Sequence, residues 1–329
     1  NLEEAIAKYS EAIRVQPTFY MSYRSLAYVY ALSQDYDEAL RWVDSLINSA
    51  RSIGLKGEAT LWKYIYLSTL GRRSESSRAL ESVARLVAQW GGRKYSGPFY
   101  WMKGWAALDK GDANLARREF RTFFEIRGEV SPKNTRLNKA LWKYTLASTY
   151  LTEGRIDSVR SCVEEMLPQL DSLEGFKKTL PMMIRILNAE LLLAEGKSDS
   201  AIHAYRETSV PKIAMGIGWG IPFYNQPALR DVVPRAFLKK GQPDSAIAEY
   251  ERLLRVDPYT NDRRLINPIY HYRLARVCEQ VGRIDEAVAE YGKFLDLWKK
   301  ADRDQPLLID AKKRLASLRS GKSGGGDAR

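Results

Sequence analysis

Gly282-Arg283-Ile284-Asp285-Glu286-Ala287 decides how this chain of 329 residues folds, because the same phrase recurs along it. It returns as Gly241-Gln242-Pro243-Asp244-Ser245-Ala246 and as Gln34-Asp35-Tyr36-Asp37-Glu38-Ala39. Weaker copies start at Gly71, Gly111, Gly154 and Gly196. With markers at 34, 71, 111, 154, 196, 241 and 282, the spacing runs from 34 (counting the opening half-repeat) to 45. That is the length of one two-helix unit with variable outer loops. Glycine in the left-handed conformation ends the first helix. The Asp or Ser that follows can accept a backbone N–H and cap the second. The small residue, Ala39, Ala116, Ala201, Ala246 or Ala287, lets the two helices approach closely. Four residues later Phe120, Tyr205, Tyr250 and Tyr291 fall on the same face. A single hairpin cannot bury its apolar face, so each unit must stack on the next.

Composition supports an ordered array. Hydrophobic residues make up 45% and charged residues 28%, a globular balance. No run of eighteen apolar residues occurs, and the most apolar helix, 180–194, is interrupted by Arg185, Asn188 and Glu190, so no membrane span is expected. Cys162 and Cys278 are too few for a disulfide framework, and with only His203 and His271 beside them a zinc site is not expected. Two thiols fit a reducing compartment and favour a cytoplasmic over a periplasmic location without deciding it. The net charge of +12 would suit an acidic partner, nucleic acid or an anionic surface. It is spread as pairs, Arg72-Arg73, Lys177-Lys178, Lys239-Lys240, Arg263-Arg264 and Lys299-Lys300, which reads as the solvated outer faces of many helices.

The pattern resembles the tetratricopeptide repeat, with its W-x2-L-G-x2-Y, A-x3-F and P signature. One unit reads Tyr23, Leu26, Ala27 and Tyr30, then Ala39 and Val43. The opening half-unit reads Ala5, Tyr9, Ala12 and Pro17, so the chain is expected to begin inside a repeat of a longer protein. The best later match is Leu274 and Ala275, then Ala287, Tyr291 and Phe294; the leading Trp is absent. The stretches 267–282 and 293–318 look like the C-terminal end of multidomain bacterial signalling proteins. Those join a Ser/Thr kinase, nucleotide cyclase or winged-helix domain to a tetratricopeptide region, and the resemblance implies that any such domain lies upstream.

The expected fold is all-α, a right-handed superhelix of about seven hairpins with an opening half-unit and a cap helix. Its units fall at roughly 1–18, 19–53, 57–92, 97–128, 138–170, 177–208, 227–258 and 266–300. A cap helix over 306–319 carries Leu307, Leu308, Ala311, Leu315 and Leu318 on one stripe, and 320–329 reads as a flexible tail.

Nothing in the sequence assembles a catalytic constellation. Gly321-Lys322-Ser323 has no glycine five positions earlier and follows a helix, not a strand. The Gly216–Gly220 run has neither dinucleotide-binding spacing nor a strand–helix setting. His203 has polar neighbours, and His271 in an apolar-aromatic helix reads as a packing or groove residue. No enzyme activity and no cofactor are therefore expected.

Binding is the expected role. In such arrays the first helix of each hairpin lines the concave face, and projection of those helices puts one residue per turn inward. The pairs are Arg24 and Tyr28, Trp62 and Ile65, Trp101 and Trp105, and Tyr144 and Ser148. Then follow Ile186 and Glu190, Asp231 and Arg235, and Tyr272 and Arg276. Aromatic and Arg side chains are the types enriched at binding hot spots. The same aromatics could equally fill the core between hairpins. The segment 207–226 has no helical period and carries Met215, Trp219, Phe223 and Tyr224, which reads either as filler of the concave channel or as a lid. The expected partner is a protein or peptide segment. The alternatives are a regulatory region of a signalling enzyme and, as a minor reading, nucleic-acid binding through the basic surface.

Overall fold

The computed structural model describes residues 1–92, 96–130, 135–168, 179–208, 231–256 and 264–323. It contains sixteen helices and, among the described residues, no strand. A lone α1 (Leu2–Val15) opens the array. Five hairpins follow: α2 (Tyr20–Leu32) with α3 (Tyr36–Ser49), α4 (Ile53–Thr69) with α5 (Arg73–Gly91), α6 (Gly97–Asp109) with α7 (Ala113–Val130), α8 (Thr135–Thr152) with α9 (Ile156–Met166), and α10 (Thr179–Ala194) with α11 (Ser198–Arg206). Two more, α12 (Val232–Lys239) with α13 (Pro243–Leu253) and α14 (Ile269–Gln280) with α15 (Ile284–Leu297), precede a closing α16 (Pro306–Ser323). Each hairpin packs its second helix on the first helix of the next, as α3 does on α4, α7 on α8 and α13 on α14. The protein is an all-α helical-repeat solenoid.

All seven marker positions take the left-handed conformation, with φ of 69° at Gly71 and 77° at Gly282. The residue after each donates its N–H back to a carbonyl in the last turn of the first helix, for example Arg72 to Leu67 at 3.0 Å and Arg283 to Cys278 at 2.8 Å. This is the bond that satisfies a helix's orphan carbonyls, and it explains why the phrase recurs. Gln34 is the one marker with a Cβ to accommodate, at φ 63°.

The expected caps form only in part. Asp35 accepts the N–H of Glu38 at 3.2 Å, and Asp112 accepts that of Leu115 at 2.9 Å. The helices that begin after Arg72, Arg155, Lys197, Gln242 and Arg283 have no side-chain cap. There the acidic residue, such as Asp157, Asp244 or Asp285, lies inside the first turn, where it faces the positive end of the helix dipole instead.

The alanines at the hairpin crossings, Ala39, Ala116, Ala201, Ala246 and Ala287, are all fully buried. Phe120, Tyr250 and Tyr291, one turn on, are buried with them. On α16, Leu308, Ala311 and Leu315 are buried against the last hairpin, and the helix continues to Ser323, beyond the expected end at 319.

The array also closes on itself. The last hairpin and the segments on either side of it dock on the turns of the first and second hairpins. Tyr36 donates its hydroxyl to the carbonyl of Ile266 at 3.0 Å, and Trp298 Nε1 donates to the carbonyl of Thr69 at 3.1 Å. Asp302 donates its N–H to Gly71 at 3.2 Å and accepts from both the N–H and the hydroxyl of Ser74 at 2.8 Å. Lys300 pairs with Asp37 at 2.9 Å. Gly71 is needed here for space as well as for its φ, since a Cβ would lie 2.9 Å from the Trp298 ring.

Candidate functional site

The aromatic residues expected along the early concave helices are core. Tyr28 and Trp62 meet edge to face at 5.3 Å, and Trp62 continues to Tyr66 at 5.7 Å. Trp101 and Trp105 are only 0% and 6% exposed, enclosing Phe120 between them at 5.6 and 5.4 Å, with Tyr144 beyond at 5.9 Å. The reason is the missing side chain at Gly104, whose position would put a Cβ 2.3 Å from Phe120, so α7 sinks against α6 and draws both indoles inward. Ile65, Tyr144, Ser148 and Ile186 are buried too, and Arg24 is buried in an ion pair with Glu58. None of these side chains is open to a partner in this conformation. Met215, Trp219, Phe223 and Tyr224 lie outside the described residues.

The charged residues of the later units assemble differently. A cleft of about 720 Å³ is lined by five first helices, α6, α8, α10, α12 and α14, or the residues just before them. Its wall holds a four-membered network. Asp231, just before α12 and 3% exposed, accepts from Arg235 Nε at 3.0 Å and pairs with Arg273 of α14. Glu190 of α10, 5% exposed, pairs with the other end of Arg235. Tyr250 adds a long contact to Asp231 at 3.4 Å. Burial alone would raise the Asp231 carboxyl, but Arg235 and Arg273 outweigh it and hold it below the usual carboxylate range. Burial likewise works against the charge on both guanidiniums, and the carboxylates reverse it and keep them firmly protonated.

The carboxylates sit behind and the guanidiniums in front. The Arg235 and Arg273 side chains stay 35% and 42% exposed while their acidic partners are almost closed off. The result is a pair of cations oriented from behind, with donor N–H groups left for an anion in the cleft. Across the same cleft, Asp109 ends α6. Protein crowds its carboxyl enough that burial raises it to about 6, with Arg73 pulling the other way. Lys239 is occupied by the carbonyl of Leu193 at 2.7 Å. The cleft therefore offers two fixed positive charges and, across from them, one carboxylate held above the usual range.

Of the sequence-expected residues, Glu190, Asp231 and Arg235 come together here, and Tyr272 and Arg276 do not. Tyr272 donates to Asp310 of the closing helix at 2.7 Å, and Arg276 reaches the same carboxylate at 3.8 Å. Because α16 covers that side of α14, the side turned to the cleft is Ile269, Tyr270 and Arg273. The projection missed Arg273 by one residue from Tyr272. Asp109 was missed because it stands at a helix end, just before its marker glycine, where a projection of the helix middle does not reach.

Among the described residues, no three His, Cys, Asp or Glu side chains gather as a metal site, and no helix is long and apolar enough to cross a membrane. Cys162 and Cys278 are buried free thiols, and burial pushes that of Cys278 up to about 11.

Two stretches of the chain answer to a known family model. Residues 1–52 and 235–302 match the tetratricopeptide repeat. The units between the two matched stretches carry the same left-handed glycine between their paired helices. The crystal structure of yeast Tom70 is similar over 99% of this chain and 60% of its own, at 13% identity and a TM-score of 0.45. The chain thus spans about 60% of the Tom70 structure. The tetratricopeptide domain of P58(IPK) is similar over 98% of this chain and 94% of its own, at 17% identity and a TM-score of 0.30. No curated protein matches the sequence.

Proposed function

We propose that this chain is a non-catalytic protein-interaction scaffold whose concave cleft holds a segment of a protein partner. The observation that carries this reading is the Arg235–Arg273 pair, fixed from behind by Asp231 and Glu190 and open in front. Preorganised guanidiniums suit a carboxylate, either an acidic side chain or a chain terminus, because both cations are already positioned before the ligand arrives. Asp109 on the opposite wall selects a basic or amide-bearing neighbour in the same segment. The tetratricopeptide matches at both ends support a scaffold role. The reading of the chain as a regulatory region of a signalling protein rests on the resemblance of 267–318 alone.

A displayed random-peptide library, selected on the intact chain, tests the proposal. Peptides enriched on the wild type should carry Asp, Glu or a free C-terminus and should lose binding to Arg273→Gln protein. Failure to enrich any family of peptides, or enrichment indifferent to that substitution, would remove the cleft as the binding site.

A further inference from the structure

A second groove lies apart from the cleft and shares no lining residue with it. A groove of about 750 Å³ runs along α4 between α3 and α5. Thr60, Leu67 and Ala79 are buried along it, and Ile47 and Leu86 are half-buried. Four cations stand over this floor: Lys56 and Lys63 on α4, Arg78 and Arg85 on α5. Each pair is seven residues apart, which is about 10 Å of helix rise. Because α4 and α5 run antiparallel about Gly71, Lys63 stands across from Arg78 and Lys56 across from Arg85. The cations therefore form two rungs, two helical turns apart.

The local acids answer them only in part, with one direct ion pair and the field of Arg78 and Lys63 on Glu75. Asp44 takes Lys63 at 2.7 Å, and the two oxygens of Glu75 accept from Nε and Nη2 of Arg72, each at 2.7 Å. Among the described residues, Lys56, Arg78 and Arg85 have no carboxylate within ion-pair distance; Arg85 reaches only the Ser82 hydroxyl at 2.8 Å. Positive charge at this site is not a by-product of the helical stacking. The matching groove along α14, between α13 and α15, has the opposite balance, with Glu251, Glu286, Glu290 and Asp296 against Arg255 and Lys293.

We infer that the α3–α4–α5 groove docks an acidic amphipathic helix of a partner protein, with carboxylates two turns apart on the cation rungs and apolar side chains on the floor. An apolar floor between discrete rungs suits a helix laid in a groove better than a continuous phosphate backbone, whose charges are closely and evenly spaced. This groove lies in different units from the concave cleft and shares no lining residue with it, so the two can be tested separately.

The test uses the intact chain and fluorescence anisotropy with three probes. These are a fluorescein-labelled helix-forming peptide with glutamates on one edge and leucines on its face, the same peptide with lysine for glutamate, and a single-stranded DNA oligomer of equal charge. The acidic peptide should bind, weaken as salt rises, and lose at least about tenfold in affinity on R78E/R85E. Both arginines are exposed, so the variant should keep the helical circular dichroism and melting of the parent; R78Q/R85Q, with a smaller loss, serves if it does not. Binding to Arg273→Gln protein should be unchanged, which separates this surface from the cleft. Equal binding by parent and variant, equal binding of the lysine peptide, or a preference for the DNA would each overturn the proposal.

Discussion

The first helices α6 and α12 present the same geometric slot, two inward residues four apart, and fill it in opposite ways. On α6 the slot holds Trp101 and Trp105, and on its counterpart Asp231 and Arg235. Each pair reaches one unit onward, the indoles to Tyr144 and the charges to Arg273. The aromatic slot closes, because every ring contact removes apolar surface from water and nothing opposes further approach. The ionic slot stays ajar. Complete desolvation of a guanidinium is costly, and Arg235 and Arg273 keep their outer edges wet while Asp231 and Glu190 sink. In this solenoid the inner slot stays open where it is charged and closes where it is aromatic.

The comparison breaks most sharply at Trp101. Trp101→Ala should cost about 3–5 kcal/mol, because it empties a fully buried site whose walls are rigid rings. Urea denaturation measures this, and a midpoint left in place would mean the aromatic slot is not core. The ionic slot should respond less. Asp231→Asn removes the charge shared by two guanidiniums, and their exposed edges let water compensate, so about 2–3 kcal/mol is expected rather than the full cost of a buried pair. The same substitution has a signature in pH. Asp231 is held below its ordinary value when folded, so its contribution is present above about pH 4 and fades as pH falls through the depressed folded value. Parent and variant should therefore converge in acid; a gap that persists there would show that packing, not charge, is what Asp231 supplies.

The smallest effect sits across the cleft and has the opposite sign. Asp109 is raised to about 6, so the folded chain prefers it protonated and loses stability as pH climbs from about 4 through that value. Asp109→Asn should match the parent near pH 4 and melt slightly higher than it near pH 8. Because the side chain touches solvent in the cleft, screening keeps the gain modest. A variant less stable than the parent at pH 8 would mean that the Asp109 charge is used by a partner group within the fold.

The hairpins were legible in the sequence because each marker is a local device. A left-handed residue, its backward hydrogen bond and a small crossing residue are all written within about ten positions of one another. The caps were less legible, since an Asp in the first turn serves the helix dipole as well as it serves as a cap, and the spacing is the same. The cleft was half legible. Glu190, Asp231 and Arg235 followed from projection, whereas Arg273 depended on which side of α14 the closing helix covers. Whether an inward aromatic is anchor or core could not be read at Trp62, Trp101 or Trp105, because both roles favour the same side chains and only the approach of the neighbouring helix decides. The contacts of Tyr36, Thr69 and Gly71 with residues more than two hundred positions away left no local trace at all.

Those distant contacts bear on how the molecule comes to be folded. An open helical array can nucleate at any unit and grow outward, each step needing only its neighbour. Here the turns at Tyr36 and Gly71 are completed by Ile266, Trp298 and Asp302, which leave the ribosome more than two hundred residues later. The early units can form their hairpins during synthesis, but their turns wait for residues 266–302. The final step is a loop closure over some two hundred residues, slow by the measure that relates folding rate to sequence separation. Once made, it ties early units to late ones, so a turn at Tyr36 or Gly71 cannot open without releasing residues more than two hundred positions away.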